Sequence, residues 1–136
     1  MTVLRRLAGE RGSVAISGLL AAAALIVLIG SGFDFAHSFF VRRDLTAVVD
    51  DAALTGSQQL DVQAWRAGRL ALDPGQAEQA AAAELAAVPG ISGVAHAAAG
   101  SVTVEAQRRI PTMMLRLVGL PELTIDARAT AQPREP

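Results

Sequence analysis

The sequence predicts an α+β, membrane-anchored chain. A long N-terminal helix, with a transmembrane half and an amphipathic outer half, precedes a small helix-and-sheet portion. Three observations lead there. Residues 13–33 contain no charged side chain. After them, apolar side chains recur at helical spacing at Val41, Leu45, Val48 or Val49, and Ala52. After Gly100 the apolar period becomes two.

The uncharged stretch is apolar on every face and includes the unbroken run Leu19-Leu20-Ala21-Ala22-Ala23-Ala24-Leu25-Ile26-Val27-Leu28-Ile29. At 1.5 Å per residue it reaches roughly 30 Å, the depth of a bilayer core. A cleaved signal peptide is the competing reading. Its apolar core is normally shorter, no small-x-small site follows Gly30-Ser31-Gly32, and the helical pattern continues beyond the apolar run. Arg5, Arg6 and Arg11 precede the span and Arg42 and Arg43 follow it, which favours a cytoplasmic N-terminus and an extracytoplasmic remainder. Within the span, Ser13, Ser17 and Ala21 recur every four residues, a spacing that lets membrane helices approach closely.

Val41, Leu45, Val49 and Ala52 then form an apolar stripe, with Arg42, Arg43, Asp44, Asp50 and Asp51 on the other faces. No proline interrupts residues 13–60, so one helix is expected throughout, with Gly30, Gly32 and Gly56 as places where it bends or breaks. The expected divisions are a cytoplasmic basic N-terminus (1–12), a transmembrane helix (13–33), its amphipathic continuation (34–60) and a small extracytoplasmic α/β portion (61–136).

In that last portion Asp73-Pro74-Gly75-Gln76 reads as a helix start: a capping aspartate, proline at the first position and a capping-box glutamine. The helix stops at Pro89-Gly90, and its buried side consists of alanines with Leu85 and Val88. Val62, Trp65, Leu70 and Leu72 offer larger packing groups before it, Trp65 reading as a packing or interfacial residue. Val102, Val104 and Ala106 alternate with polar residues, as do Leu123, Ile125, Ala127 and Ala129, giving two half-buried strands, with 91–97 as a candidate third. Between the two, Thr112 is positioned to cap a short helix over 113–118, closed by Gly119 and Pro121. So few large apolar groups make this portion marginal alone, and it is expected to rely on the outer half of the first helix, on partner subunits, or on both.

Composition excludes several functions. The chain has 136 residues, 51% hydrophobic and 18% charged, with a net charge of −1. Every basic residue is arginine and no large basic face can be assembled, so no nucleic acid is expected as a partner. Without cysteine there is no thiol nucleophile or thiolate metal site. Asp34 and His37 share a helical face but make two ligands at most, and they read as polar residues where the helix meets water. His96 is isolated and expected to face solvent. Asp50 and Asp51 point about 100° apart on a helix, as exposed acids do. Residues 90–100 lack a phosphate-binding fingerprint, and no serine sits in a nucleophile elbow. No catalytic residue, cofactor site or metal site is assigned, and no enzymatic activity is expected.

The order of the N-terminal pieces carries a resemblance. Glu10-Arg11-Gly12-Ser13-Val14-Ala15-Ile16, an apolar run, Gly32-Phe33-Asp34-Phe35, Val41-Arg42-Arg43-Asp44-Leu45 and Val49-Asp50-Asp51-Ala52-Ala53-Leu54-Thr55-Gly56 resemble the N-terminal signature of TadE/TadG-like proteins. Those are pilin-like or assembly components of the tight adherence (Flp-type) pilus and related secretion loci. The resemblance covers about the first 60 residues well. It implies a single-pass protein of the bacterial inner membrane, a pilin-like head, and a structural or assembly role. The implied partners are membrane lipid and other apparatus subunits, met through the small-residue face (Ser13, Ser17, Ala21) and the outer helix (Val41, Leu45, Val49, Ala52). Pilin-like members carry a glutamate five residues after a cleavage-site glycine. Here Gly12 is followed at that distance by Ser17, which resembles the TadG-like branch that stays membrane-anchored. The alternative is a membrane-tethered extracytoplasmic interaction module unrelated to pili.

Overall fold

The computed structural model describes residues 2–134, with side chains described from residue 12 onward. Helix α1 (Thr2–Ser57) is followed by α2 (Val62–Arg66), α3 (Pro74–Ala86), strands β1 (Ser92–Ala98) and β2 (Ser101–Pro111), a 3-10 turn (Leu115–Val118) and strand β3 (Glu122–Ala131). The fold is α+β, a long apolar N-terminal helix with a small antiparallel sheet. The chain divides into two compact units. One joins Met1–Ala36 with Thr112–Pro121, and the other joins His37–Pro111 with Glu122–Pro136.

α1 begins before the expected residue 13 and ends at Ser57, short of residue 60. The turn before residue 13 lacks proline and continues the helix, so the charge boundary is not a helix boundary. Gly30 and Gly32 do not interrupt it. Gly56 lies beside its end, where the Ser57 hydroxyl donates to the Leu54 carbonyl at 2.8 Å. The side chains of Arg5, Arg6 and Arg11, on which the expected orientation rests, lie outside the described residues.

The second unit is built around the outer part of α1. Leu45, Val49, Ala52 and Ala53 are buried with Leu72, with Ala77, Ala81 and Leu85 of α3, and with Val102, Val104 and Ala106 of β2. Alanines at four-residue spacing keep the buried face of α3 nearly flat, and a Cβ placed on Gly56 would sit 2.9 Å from the Ala77 carbonyl oxygen and 3.1 Å from Val102 Cγ1. Helix backbones thus approach closely where large side chains are missing. The outer-helix positions Val41, Leu45, Val49 and Ala52, expected to meet partner subunits, are instead buried by the chain itself. Helical period identifies an apolar stripe but not what covers it.

α3 follows its local signals. The Asp73 carboxylate accepts from the Gln76 N–H at 3.1 Å, and Pro74 occupies the first turn. Leu85 is buried and Val88 half-buried. α2 has no counterpart in the sequence reading; the Asp61 carboxylate caps it by accepting from the N–H groups of Gln63 (2.8 Å) and Ala64 (3.1 Å). Leu72 is buried, whereas Val62, Trp65 and Leu70 are exposed. Trp65 therefore does not serve as a core residue.

The sheet has order β1-β2-β3, both pairs antiparallel. Ala97 faces Val102, and Val102 faces Ala131; the β2–β3 ladder runs on to Pro111 opposite Glu122. Register places Val102, Val104 and Ala106 with Ala131, Ala129 and Ala127 on the face that packs against the helices. The other face is polar. Thr103 and Thr130 share a 3.0 Å hydrogen bond, and Arg128 pairs with Glu105 at 3.1 Å. At the β1 edge the Ala97 N–H donates to Glu78 Oε1 of α3 at 2.9 Å, which occupies a ladder donor that would otherwise be open.

Candidate functional site

Two features of the described residues have the attributes of a working surface: the apolar stretch of α1 with the loop docked on it, and a groove beside the sheet. Within α1, one stretch is long and apolar enough to cross a membrane, and none of its most apolar window is buried. Leu19, Leu20, Leu25, Ile26, Leu28 and Ile29 all face outward. Ser13, Ser17 and Ala21 are exposed as well, and the Ser17 hydroxyl donates to the Ser13 carbonyl at 2.9 Å. Its polar atom is thus satisfied within its own helix, as hydroxyls in apolar surroundings require.

At the outer end of that stretch Asp34 is buried, contrary to the expectation of a polar residue facing water. Its carboxylate takes three backbone N–H donors from the loop between β2 and β3. Met113 donates to Oδ1 at 2.9 Å; Met114 and Leu115 donate to Oδ2 at 2.8 and 2.9 Å. Those amides open the 3-10 turn and have no acceptor within it, so the side chain from α1 acts as a cap supplied at long range. Thr112, expected to cap this turn, does something else. Its hydroxyl donates to the Leu120 carbonyl, and its N–H donates to the Pro121 carbonyl at 3.0 Å, so it ties the two ends of the loop together. Gly119, in the left-handed region at φ 91°, closes the turn as expected. One helical turn before Asp34, a Cβ on Gly30 would run into the Met114 side chain, so the loop lies directly on the helix there.

His37 is exposed and not part of this arrangement, so the Asp34/His37 pair is not assembled into a ligand set. Among the described residues no group of three or more His, Asp or Glu side chains is placed to hold a metal ion. His96, Asp50 and Asp51 are exposed.

The groove encloses about 880 Å³ and is lined by Arg42 and Thr46 of α1, by the start of β1, and by the Glu105 and Arg128 region of β2 and β3. Both signs of charge border it. Among the described lining residues no histidine or paired nucleophile and base is present.

The role of Asp34 escaped the sequence reading because its partners lie 79 to 81 positions away. The available signal was the composition of the loop: Met113, Met114, Leu115, Leu117, Val118 and Leu120 surround a single arginine, where a strand connection is ordinarily polar. Comparison with protein-family models, curated proteins and solved structures returned no match.

Proposed function

We propose that the chain is a membrane-anchored structural or assembly component of a tight adherence (Flp-type) pilus or a related envelope secretion apparatus, held by a single pass of α1 in the bacterial inner membrane with its C-terminal portion extracytoplasmic. The observation that carries this reading is the continuity of α1. One helix supplies both an exposed apolar stretch of bilayer length and four buried residues of the small α/β core. An anchor sequence and core residues of the α/β portion on one helix suit a membrane-held assembly subunit. The ordered N-terminal signature from Glu10 to Gly56 supports the pilus assignment, and the arginine distribution supports the orientation. With the outer stripe buried, subunit contacts fall to the small-residue face (Ser13, Ser17, Ala21) and to the polar face of the sheet.

Deletion of the gene in a pilus-forming host tests the reading. Loss of sheared surface pili, restored by the full-length chain, is expected; normal piliation refutes the pilus role. The mass of the membrane-extracted chain distinguishes full length from processing after Gly12. A membrane-tethered interaction module unrelated to pili is the second reading, favoured by the mixed-charge groove at Arg42, Glu105 and Arg128. It predicts normal piliation together with a co-purifying partner that is lost on Arg42→Glu.

A further inference from the structure

The connection between β2 and β3 is apolar, outward-facing and fastened to the end of the bilayer-length stretch. Met113, Leu117, Val118 and Leu120 are 65%, 66%, 58% and 51% exposed. A water-facing loop with that composition leaves four large apolar side chains exposed within eight residues. Its depth is fixed by contacts within one compact unit: Met114 lies against Gly30, inside the uncharged stretch of α1, and three amides of the loop are held by Asp34. At 1.5 Å per residue, Gly30 lies roughly 5 Å inside the end of that stretch at Phe33.

We propose that Thr112–Pro121 is a membrane-seated loop, placing Met113, Leu117, Val118 and Leu120 in the acyl-headgroup boundary of the leaflet from which α1 emerges. This rests on the reading of α1 as a membrane anchor. The occupant of the exposed face is lipid because the loop lies against α1 at Gly30 and Asp34, level with the end of its exposed apolar stretch. The Asp34 contacts satisfy the three amides at the start of the turn, Thr112 satisfies two loop-end carbonyls, and the N–H groups of Leu117, Gly119 and Leu120 donate to the carbonyls of Met114, Arg116 and Leu115 within the loop. Arg116, the one charged side chain of the loop, is exposed and long enough to extend toward lipid phosphates while its stem stays among apolar groups. The loop therefore gives the anchor a second point of contact with the bilayer, fixing rotation of the helix about its axis as well as its depth.

The absence of native cysteine makes the test direct. Full-length Leu20→Cys, Leu117→Cys and Thr124→Cys chains are labelled with an environment-sensitive fluorophore and reconstituted into phosphatidylcholine and phosphatidylglycerol vesicles containing acyl-brominated lipid. The expected result is strong quenching at position 20 by deeply brominated lipid, quenching at 117 by shallowly brominated lipid severalfold above that at 124, and little at 124. Quenching at 20 with 117 no different from 124 overturns the seated loop and leaves the anchor standing. A label at 20 that lipid does not quench overturns both. Protection of 117 from aqueous iodide without quenching by brominated lipid assigns the face to protein contact and overturns the lipid assignment. Val118→Cys replaces Leu117→Cys if that chain does not fold.

Discussion

The Asp34 carboxylate accepts the N–H of Leu115 at 2.9 Å across 81 positions of sequence. Hydrogen bonds to an ionised group contribute about 1.5–3 kcal/mol each, and an acceptor removed from buried donors costs their desolvation as well. Asp34 serves three such donors, so one side chain holds the entire start of the loop.

Asp34→Ala should therefore release Thr112–Pro121 from α1. The measurement is amide hydrogen exchange in detergent or bilayers. Protection at Met113, Met114 and Leu115 is expected to fall by at least tenfold, since a loss of about 1.4 kcal/mol already gives that factor. Asp34→Asn keeps one carbonyl acceptor and should retain part of the protection. Unchanged exchange in the alanine variant would contradict the cap.

Leu45 is fully buried and, with Leu72 and Leu85, is one of the few large side chains in a core otherwise made of valines and alanines. Leu45→Ala should destabilise the second unit by about 2–5 kcal/mol in denaturant unfolding. Phe39→Ala, on the same helix but exposed, should leave that transition within about 0.5 kcal/mol of the parent.

Gly56 tests the close helix approach. A Cβ there meets the Ala77 carbonyl oxygen at 2.9 Å, and backbone cannot rotate away as a side chain can. Gly56→Val should lower stability by about 1–3 kcal/mol despite adding apolar volume. A stabilised variant would show that α3 is free to shift.

Arg128 and Glu105 form an exposed pair, with side chains 68% and 50% accessible. Screening by water and salt limits such a pair to less than about 1 kcal/mol. Arg128→Ala should leave the unfolding midpoint nearly unchanged, so any loss of function in that variant would report binding at the polar face.

Residues 60–136 expressed alone lack Leu45, Val49, Ala52 and Ala53, which supply four members of the core. That fragment should show no cooperative thermal transition, whereas residues 37–136 should show one by circular dichroism. A sharp transition in the shorter fragment would remove the requirement for the helix.

Elements governed by neighbouring residues were legible in the sequence. Asp73-Pro74 announced α3, and the alternation at Val102, Val104 and Ala106 announced β2 and its buried face. α2 was not legible because a five-residue helix is too short to show a period. The stripe at Val41, Leu45, Val49 and Ala52 was readable as apolar, but the choice between a partner and the chain's own core depends on packing with residues as distant in sequence as Leu85, Val102 and Ala106. Asp34 looked like a boundary residue because its donors are backbone amides, which leave no trace in side-chain identity.

Asp34 and the amides that complete it are also separated in time. At 5–20 residues per second, Met113 follows Asp34 by roughly 4–16 s of synthesis. Until the chain has been elongated through Leu115, the three loop amides cannot all reach this carboxylate. Fastening of the loop therefore waits for synthesis through Leu115, and a chain truncated before Met113 would lack all three of these donors.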